Sequence, residues 1–310
     1  MSKPTTIQIW LTQIRTNFLA LAVLLVFIGV AAAWRIPGAQ SDFSWINAFL
    51  LMIGIVSAHA SVNLFNEYSD YHTGIDFNVT RTPFSGGTGM LIEGHTRPRQ
   101  VLLAALFTLL VAAAIGTYFT VMAHSSIAVI MLIGAVSIVL YTPFFARIAM
   151  GELISGLSLG SLVVIGSYIA MTATPGQPFT EVLPPPVIYF SIAPGILTSL
   201  LLFINEFPDA DADRKGGRRH LVILLGRRAS SWIYVAGLVA TFTMVIWMVG
   251  NNTLNYWGLL ALLPLPLAIK AGVTALRFYD NPPALIPGLV ANVMTVLATD
   301  LLLGVAVLLM

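Results

Sequence analysis

The residues of this chain that can do chemistry are concentrated in two polar stretches, each following a long apolar run. Residues 63–76 contain two asparagines, three carboxylic acids and a histidine, and residues 205–219 contain four acids and four basic residues. Ionisable residues at the ends of apolar helices are energetically costly and usually serve a functional site. We therefore expect the two stretches to face each other and to form one site.

Helical spacing places the polar residues of each stretch on one face, because residues three or four apart on a helix are neighbours. The two polar stripes predicted in this way are His59, Asn63, Asn66 or Glu67, and Asp70, and then Asn205, Asp209 and Asp213. Asp211 falls on the opposite side of its helix. Facing carboxylates repel unless a cation lies between them, and carboxylate and amide oxygens are the ligands that Mg²⁺ prefers. The spacing predicts a metal site.

Basic residues lie in the same loops as these acids and are suited to binding a diphosphate beside the metal. They are Arg81, Arg97, Lys215, Arg218 and Arg219. Lys215 is the strongest candidate because it follows Asp213 by two positions. An alternative is that these cations only contact anionic lipid. The glycine-rich run 83–89 offers backbone amides to a phosphate but lacks the lysine of a P-loop, and a hinge or lid is the alternative interpretation.

The composition restricts the class of protein. Of the 310 residues, 57% are hydrophobic and 9% are charged, whereas a soluble domain carries about 25% charged residues. This indicates a polytopic membrane protein in contact with lipid, and it predicts no nucleic-acid partner. The absence of cysteine excludes disulfides and cysteine-ligated metals. No HExxH, GxGxxG or Ser-His-Asp pattern stands in a usable context, so zinc-peptidase, dinucleotide-binding and hydrolase functions are not predicted.

The elements that must position the two stretches are membrane-spanning helices. Residues 1–16 are predicted to form an amphipathic helix in the headgroup region. Apolar runs long enough for a bilayer core of about 30 Å predict nine spans, at about 17–34, 44–68, 99–121, 126–143, 150–172, 186–208, 229–249, 254–273 and 285–308. We expect one all-α integral-membrane domain over residues 1–310.

The basic residues predict the orientation of this domain. With nine spans, fourteen of the fifteen lysines and arginines fall on the side of the N-terminus, and only Arg35 falls on the other side. Positively charged loops stay in the cytoplasm, so we expect a cytoplasmic N-terminus and an external C-terminus in the inner (plasma) membrane. The acidic loops, about 71–98 and 209–228, share the cytoplasmic side, which places the predicted active site at that face.

Four sequence segments resemble motifs of a known family. They are Asn66-Glu67-x-x-Asp70-x5-Asp76, Asp209-x3-Asp213-Arg-Lys, Tyr141-Thr-Pro and Trp10-Leu-x3-Arg15. On these motifs the chain resembles the UbiA superfamily of intramembrane aromatic prenyltransferases, over about residues 8–308. The step from Asp70 to Asp76 most resembles the 1,4-dihydroxy-2-naphthoate polyprenyltransferases of menaquinone (quinone) biosynthesis. The resemblance implies a UbiA-type bundle of nine helices around a central cavity that opens to the cytoplasmic side.

The resemblance also implies Mg²⁺-dependent transfer of a prenyl group from a polyprenyl diphosphate to an aromatic acceptor. One Mg²⁺ would be held by Asn66, Asp70 and Asp76, and another by Asp209 and Asp213. The residues expected to act in catalysis are Asp70, Asp209, Lys215 and Tyr141, and those expected to bind substrate are Asn63, Arg81, Arg97, Arg218 and Tyr68. Aromatic faces stabilise an allylic cation, and those near the motifs are Phe65, Tyr68, Tyr141 and Phe203.

Two departures from the family pattern leave the acceptor open. Glu67 stands where the family usually has aspartate, and the segment Asn205-Glu206-Phe-Pro208 differs from that of the dihydroxynaphthoate enzymes. Other acceptors are 4-hydroxybenzoate, homogentisate, a tetrapyrrole and glycerol phosphate. A secondary transporter is an alternative of a different class, since acids at helix breaks also mark transport sites. Transport would require acids near the bilayer midplane, whereas these acids cluster at one end of the spans.

Overall fold

The structure, a computed structural model, describes residues 4–38, 42–79, 81–82 and 85–310, and these residues form helices and turns without a β-strand. The α-helices are α1 (Thr6–Gln13), α2 (Thr16–Arg35), α3 (Trp45–Thr73), α4 (Pro98–Met122), α5 (Ser126–Leu140), α6 (Gly151–Ile154), α7 (Leu162–Thr172), α8 (Pro185–Lys215), α9 (Leu221–Leu225), α10 (Arg227–Gly250), α11 (Leu265–Phe278) and α12 (Pro282–Leu308). The predicted all-α membrane class is confirmed.

Eight helical segments of the described chain are long and apolar enough to cross a membrane. They are Thr16–Arg35, Trp45–Thr73, Pro98–Met122, Gly151–Thr172, Pro185–Lys215, Arg227–Gly250, Tyr256–Phe278 and Pro282–Leu308. The fourth predicted span corresponds to α5, which has only 15 residues and a length of about 22 Å at 1.5 Å per residue. The chain is therefore a multi-pass membrane protein, and the count of nine spans stays a prediction.

The N-terminal helix is shorter than the predicted range 1–16, and residues 1–3 lie outside the described part. Helix α1 begins with a capping box between Thr5 and Gln8 and ends at Gln13. Arg15 then adopts a left-handed conformation, with φ of 54°, and α2 begins at Thr16. This break turns the chain from α1 into the bundle, and Arg15 borders the central cavity as a result.

The first acidic stretch spans a helix end and the turn that follows it. Helix α3 continues to Thr73 and is terminated by Gly74, whose φ of 78° is the left-handed cap that glycine favours. A 3₁₀ turn, Ile75–Phe77, follows directly. Asp70 is thus on the helix and Asp76 is on the turn, so the two carboxylates approach the same space from different elements.

The second acidic stretch is helical throughout its acids. Helix α8 continues past Pro194 and Pro208 to Lys215, seven residues beyond the predicted end at residue 208. Asp209 and Asp213 therefore lie one turn apart on one helix, as the spacing predicts. Asp211 is exposed and pairs with Arg227 at 2.9 Å, which confirms that it lies on a different face from the buried Asp213.

A π-helical segment, Ser155–Ser161, joins α6 to α7 and packs closely on α8. A Cβ atom added to Gly156 would lie 2.6 Å from the carbonyl oxygen of Gly195, and one added to Gly160 would lie 2.6 Å from its Cα atom. The two backbones therefore touch, which small residues permit in membrane bundles. Ser199 of α8 also donates to the carbonyl oxygen of Glu152 at 2.9 Å. This contact fixes the start of α6 beside the second acidic stretch.

Candidate active site

A cavity of about 340 Å³ lies between α2, α3, α4, α5, α7 and α8. Its walls are mostly apolar, and its polar residues are concentrated near one end. Along α3 the lining extends from Leu51 to Asp70, a distance of about 28 Å for a helix that rises 1.5 Å per residue. The cavity therefore suits an elongated apolar ligand with a charged group at one end.

The two acidic stretches meet at this cavity. The five residues predicted from the sequence as metal ligands all line it: Asn66, Asp70, Asp76, Asp209 and Asp213. Arg218 connects the stretches, because its guanidinium donates to Asp70 at 2.5 Å, to Asn66 at 2.9 Å and to Asp213 at 3.0 Å. Thr142 also donates to Asn66, at 3.0 Å. The expected convergence of the two stretches is thus observed.

Asp76 lies in a crowded and negatively charged environment. Burial raises the pKa of its carboxyl group, and the negative charges of Asp70 and Glu67 raise it further. Together they bring this pKa to about 8. A Cβ atom added to Gly87 would collide with the Asp76 carboxylate, so the glycine backbone packs directly against this group. A divalent cation bound here would offset the repulsion among the acids.

Asp209 has one oxygen in use and one available. Its Oδ2 atom accepts a hydrogen bond from the Gly86 amide at 3.0 Å, whereas Oδ1 is buried without a hydrogen-bond partner in the described part of the chain. Buried acceptors of this kind normally have partners. The unpartnered oxygen and the surrounding carboxylate and amide oxygens form a ligand set that fits Mg²⁺.

Glu67 supports the glycine-rich loop and does not line the cavity. Its carboxylate accepts hydrogen bonds from the backbone amide of Thr88, at 3.2 Å, and from the Thr88 hydroxyl. Arg15 lies 3.7 Å from the same carboxylate. Gly86 and Gly87 in turn form part of the cavity wall. The glutamate that departs from the family pattern therefore anchors the wall, while Pro83 and Phe84 of the predicted run lie outside the described residues.

Substitution of Glu67 by alanine is expected to loosen this wall. The lost hydrogen bonds to a charged group are each worth about 1.5–3 kcal/mol, so the Thr88 amide should exchange its hydrogen about 10–100-fold faster. Hydrogen-exchange mass spectrometry of the peptide that contains residues 85–90 measures this. Glu93, which is exposed and pairs with Arg81 at 3.3 Å, provides the matched control. Equal exchange in wild-type and Glu67→Ala protein would contradict the anchoring role.

Several residues predicted to bind substrate lie away from the cavity. Lys215 and Arg97 are exposed, Arg81 pairs with Glu93 beside a second cavity, and Tyr68 packs beside His72. Lys215 and Asp213 lie on different faces of α8, because residues two apart on a helix do not share a face. Arg218 takes the position expected for Lys215, since the chain reverses at Gly216 and Gly217 after α8 ends.

Two other residues that the sequence predicted to act on substrate do lie at the cavity. Asn63 and Tyr141 line the cavity, and the Asn63 amide donates to the carbonyl oxygen of Ile14 at 3.0 Å. Among the cavity-lining residues, Tyr141 is the one aromatic of the four predicted near the motifs. Phe18 and Phe119 line the cavity as well. The sequence did not indicate them, because they are distant from both acidic stretches.

A cluster beside the acidic stretches was also not predicted. Glu152, Glu206 and His220 are buried, and one potential ligand atom of each lies within 4.8 Å of the others. His220 lies between α8 and α9, and its side chain is 1% exposed and contacts Asp213 at 3.2 Å. The spacing of Glu206 from Asp209 and Asp213, three and seven residues, was an available signal.

The fold and the cavity define a class of protein: a multi-pass membrane protein with a long apolar cavity that ends in carboxylates and an arginine. The model of the UbiA prenyltransferase family matches residues 22–293. The chain belongs to this family and is a prenyltransferase. This confirms the family resemblance that the two aspartate motifs indicated.

Relatives named for dihydroxynaphthoate prenylation support this family at modest identity. The 1,4-dihydroxy-2-naphthoate octaprenyltransferase of Bacillus subtilis (strain 168) is 30% identical over 215 residues, which cover 68% of this chain and 65% of that protein, slightly under two thirds of its length. The enzyme of the same name from Escherichia coli (strain K12) is 27% identical over 95% of this chain and 93% of its own.

Solved structures share the fold. The apo structure of a UbiA homolog from Aeropyrum pernix K1 superposes with a TM-score of 0.72 at 17% identity, covering 96% of this chain and 98% of its own. A UbiA homolog from Archaeoglobus fulgidus, bound to GPP and Mg²⁺, superposes with a TM-score of 0.57 at 15% identity, covering 97% of this chain and 100% of its own. At these identities the likeness establishes the common helical architecture.

Proposed function

We propose that the protein is a Mg²⁺-dependent enzyme that transfers a prenyl group from a polyprenyl diphosphate to 1,4-dihydroxy-2-naphthoate, in menaquinone biosynthesis. The observation that carries this proposal is the convergence of both acidic stretches at one cavity with a long apolar wall. The names of the Bacillus and Escherichia relatives support the acceptor. The Archaeoglobus homolog bound to GPP and Mg²⁺ supports the donor and the metal.

The proposed metal ligands are the five oxygen-bearing residues that line the cavity. Asn66, Asp70 and Asp76 would hold one Mg²⁺, and Asp209 and Asp213 would hold another. Bound Mg²⁺ supplies positive charge that stabilises the diphosphate as it leaves. The unpartnered oxygen of Asp209 supports this assignment, since it leaves a buried acceptor without a partner in the described chain.

Arg218 is proposed to bind the diphosphate. Its guanidinium presents several donors in one plane, a geometry that suits phosphate oxygens. It bridges Asp70 and Asp213, and metal binding to these acids would free it for the diphosphate. Lys215, Arg81 and Arg97 stay as proposed contributors of positive charge outside the cavity.

The apolar part of the cavity is proposed to hold the prenyl tail and to exclude water. In the reaction the bond between the prenyl carbon and the diphosphate oxygen breaks, and its electron pair leaves with the diphosphate. A ring carbon of the acceptor then bonds to the allylic cation, and its carboxylate departs as CO₂, which leaves the electrons that restore the aromatic ring. The rings of Tyr141, Phe18 and Phe119 line this space and are suited to stabilising the cation.

The placement of the protein is proposed from the charge pattern. The segregation of basic residues predicts a cytoplasmic N-terminus, an external C-terminus and an active site at the cytoplasmic face of the inner membrane. A single domain over residues 1–310 agrees with the family match over residues 22–293. A secondary transporter is a weaker alternative, because the carboxylates lie at the end of α3 and α8 and not at their centres.

A reconstituted assay tests the proposed function. Purified protein in detergent is expected to convert a labelled polyprenyl diphosphate and 1,4-dihydroxy-2-naphthoate into a lipophilic product with release of CO₂. Removal of Mg²⁺ with EDTA is expected to stop the reaction, and added Mg²⁺ should restore it. Parallel reactions with 4-hydroxybenzoate, homogentisate and glycerol phosphate identify the acceptor. Product with one of these and none with dihydroxynaphthoate would refute the acceptor, and EDTA-resistant turnover would refute the metal dependence.

The wall of the cavity near Gly134 is expected to limit the length of the prenyl chain that the enzyme accepts. Gly134 borders the cavity, and a Cβ atom added there meets no other atom within 4 Å, so a larger side chain has room to enter without disturbing the backbone. Gly134→Phe is expected to lower kcat/KM for long polyprenyl diphosphates and to spare short ones. Gly250, at the exposed end of α10 and equally free of close neighbours, provides the control substitution. If Gly134→Phe kept the wild-type preference for chain length, the prenyl tail would not pass Gly134.

A further inference from the structure

The cluster of Glu152, Glu206 and His220 lies at the meeting point of three elements. Glu152 is in α6, Glu206 is in α8, and His220 immediately precedes α9. Their exposed fractions are 3%, 7% and 1%. Glu206 and His220 border the central cavity. The cluster is therefore enclosed by protein on most sides and adjoins the cavity on one.

Each of the three side chains retains an atom without a hydrogen-bond partner in the described chain. Glu152 accepts a hydrogen bond from the Leu221 amide at Oε1, 2.8 Å away, and its Oε2 is unpartnered. Oε2 of Glu206 and Nδ1 of His220 are also unpartnered, and they lie 3.5 Å from each other. Three such atoms in one buried cluster are unusual, since buried polar atoms nearly always have partners. A ligand bound between them would supply the missing partners.

The surroundings of His220 match those of a metal-binding histidine. Its Nε2 atom lies 3.2 Å from Oδ2 of Asp213, so the Nε2–H group donates to a carboxylate. Histidines that bind metals typically make this second hydrogen bond, which fixes the tautomer and directs the other nitrogen at the metal. Nδ1 therefore presents a lone pair to the two glutamates.

The charge of the cluster also requires compensation. Two carboxylates in a low-dielectric environment are costly unless a cation or a proton is shared between them. The charged and titratable groups beside them are Asp213, Arg218 and Tyr141. Arg218 is already bonded to Asp70, Asn66 and Asp213. A metal ion would satisfy all three unpartnered atoms at once, whereas one proton can join only two of them, either the two carboxyl groups or Nδ1 of His220 and Oε2 of Glu206.

We infer that Glu152, Glu206 and His220 form a binding site for one divalent transition-metal ion, separate from the proposed Mg²⁺ ligands. An imidazole nitrogen with two carboxylates suits Zn²⁺ or a similar ion, whereas Mg²⁺ prefers oxygen ligands alone. Ligand atoms bound tetrahedrally to one ion at about 2.0–2.2 Å lie about 3.3–3.6 Å from each other. Nδ1 of His220 and Oε2 of Glu206 already lie 3.5 Å apart, and rotation of the Glu152 side chain within the 4.8 Å cluster would bring the third ligand atom to a similar distance.

Such an ion would act on the neighbouring acidic site through His220. An ion at Nδ1 would hold the imidazole in place, and the Nε2–H group would then hold Asp213, which is a proposed Mg²⁺ ligand. The ion is thus proposed as a positioning element for the diphosphate site. Its binding does not depend on the identity of the acceptor, so it can be tested without turnover.

Cobalt titration of the purified protein tests the site. Co²⁺ is added to substrate-free protein in detergent with excess Mg²⁺, and visible absorption is recorded, because nitrogen-ligated Co²⁺ of low coordination absorbs more strongly than octahedral oxygen-ligated Co²⁺. Wild-type protein is expected to bind one equivalent with intense bands, and Zn²⁺ should displace it. Asp76→Asn, which alters a proposed Mg²⁺ ligand, is expected to retain this signal.

Glu152→Gln supplies the decisive variant. It should weaken Co²⁺ binding by at least about tenfold, since a neutral amide replaces a charged ligand, and Glu206→Gln should do the same. Glu181→Gln, at an exposed glutamate, should bind as wild type. The inference is overturned if wild-type protein shows no such Co²⁺ signal, the result expected for a proton shared by the glutamates. It is also overturned if folded Glu152→Gln binds Co²⁺ as wild type does.

Discussion

Replacement of Asp209 by alanine is expected to lower kcat/KM for prenyl transfer by about 10²–10³-fold, the loss typical of removing one electrostatic contributor from an active site. The same substitution at Asp211 is expected to leave kcat/KM close to the wild-type value. The two residues are two positions apart on α8, so each variant serves as the control for the other, and opposite results are expected.

The contrast follows from the direction in which each carboxylate lies. Asp209 lines the cavity, and its Oδ1 is buried and unpartnered, so it is available to a metal ion. Asp211 is exposed and pairs with Arg227 at 2.9 Å. An exposed ion pair of this kind contributes about 0–1 kcal/mol, and its loss should not reach the reacting atoms.

The measurement is steady-state kinetics of each variant over a range of Mg²⁺ concentrations. Asp209→Ala should also require more Mg²⁺ for its residual activity if the carboxylate is a ligand. Membrane insertion and thermal unfolding in detergent establish that both variants fold. Comparable losses in Asp209→Ala and Asp211→Ala would refute the assignment of the active face of α8.

Substitution of Arg218 by glutamine is expected to have the second large effect, on both activity and stability. The Arg218 side chain is 14% exposed and bonds to Asp70 and Asp213. Removing one member of a buried ion pair costs about 3–5 kcal/mol, because the partner charges are left unpaired. The melting temperature should therefore fall. In addition, kcat/KM should fall because the proposed contact with the diphosphate is lost.

Lys215→Gln is the matched comparison, since the sequence favoured Lys215 for the diphosphate. Lys215 is exposed and does not line the cavity, so its substitution should change stability little. Thermal unfolding measured with and without Mg²⁺ separates the two causes, since Mg²⁺ bound to the unpaired carboxylates of Asp70 and Asp213 should restore part of the stability of Arg218→Gln. Arg218→Lys retains the charge but loses the planar fork, and should be intermediate. If kcat/KM fell more in Lys215→Gln than in Arg218→Gln, the result would favour Lys215 as the residue that binds the diphosphate.

Much of the site was accessible from the sequence because helices impose simple periodicities. The spacing of Asn205, Asp209 and Asp213 predicted a shared face, and Asp211 was correctly placed on another. The low charge content predicted a membrane protein. These inferences use only the geometry of a single helix and the cost of charge in lipid, so they need no knowledge of how the helices pack.

Residues that act through contacts between distant segments were not predictable in this way. Arg15 reaches Glu67 only because the chain breaks between α1 and α2, and Arg218 reaches Asp70 only because two glycines reverse the chain after α8. Glu152 joins Glu206 only because glycines let the π-helical segment touch α8. No local pattern encodes these approaches.

The sequence by itself therefore determined the class of protein, its family motifs and the two acidic helix faces. The tertiary structure alone decided which cation lies between those faces, which side chains enclose the cavity and which buried acids adjoin it. The physical reason is that helical periodicity is a property of neighbouring residues, whereas a buried charge is balanced by whatever residue the packing of distant segments brings within reach. Arg218, and not Lys215, is that residue here.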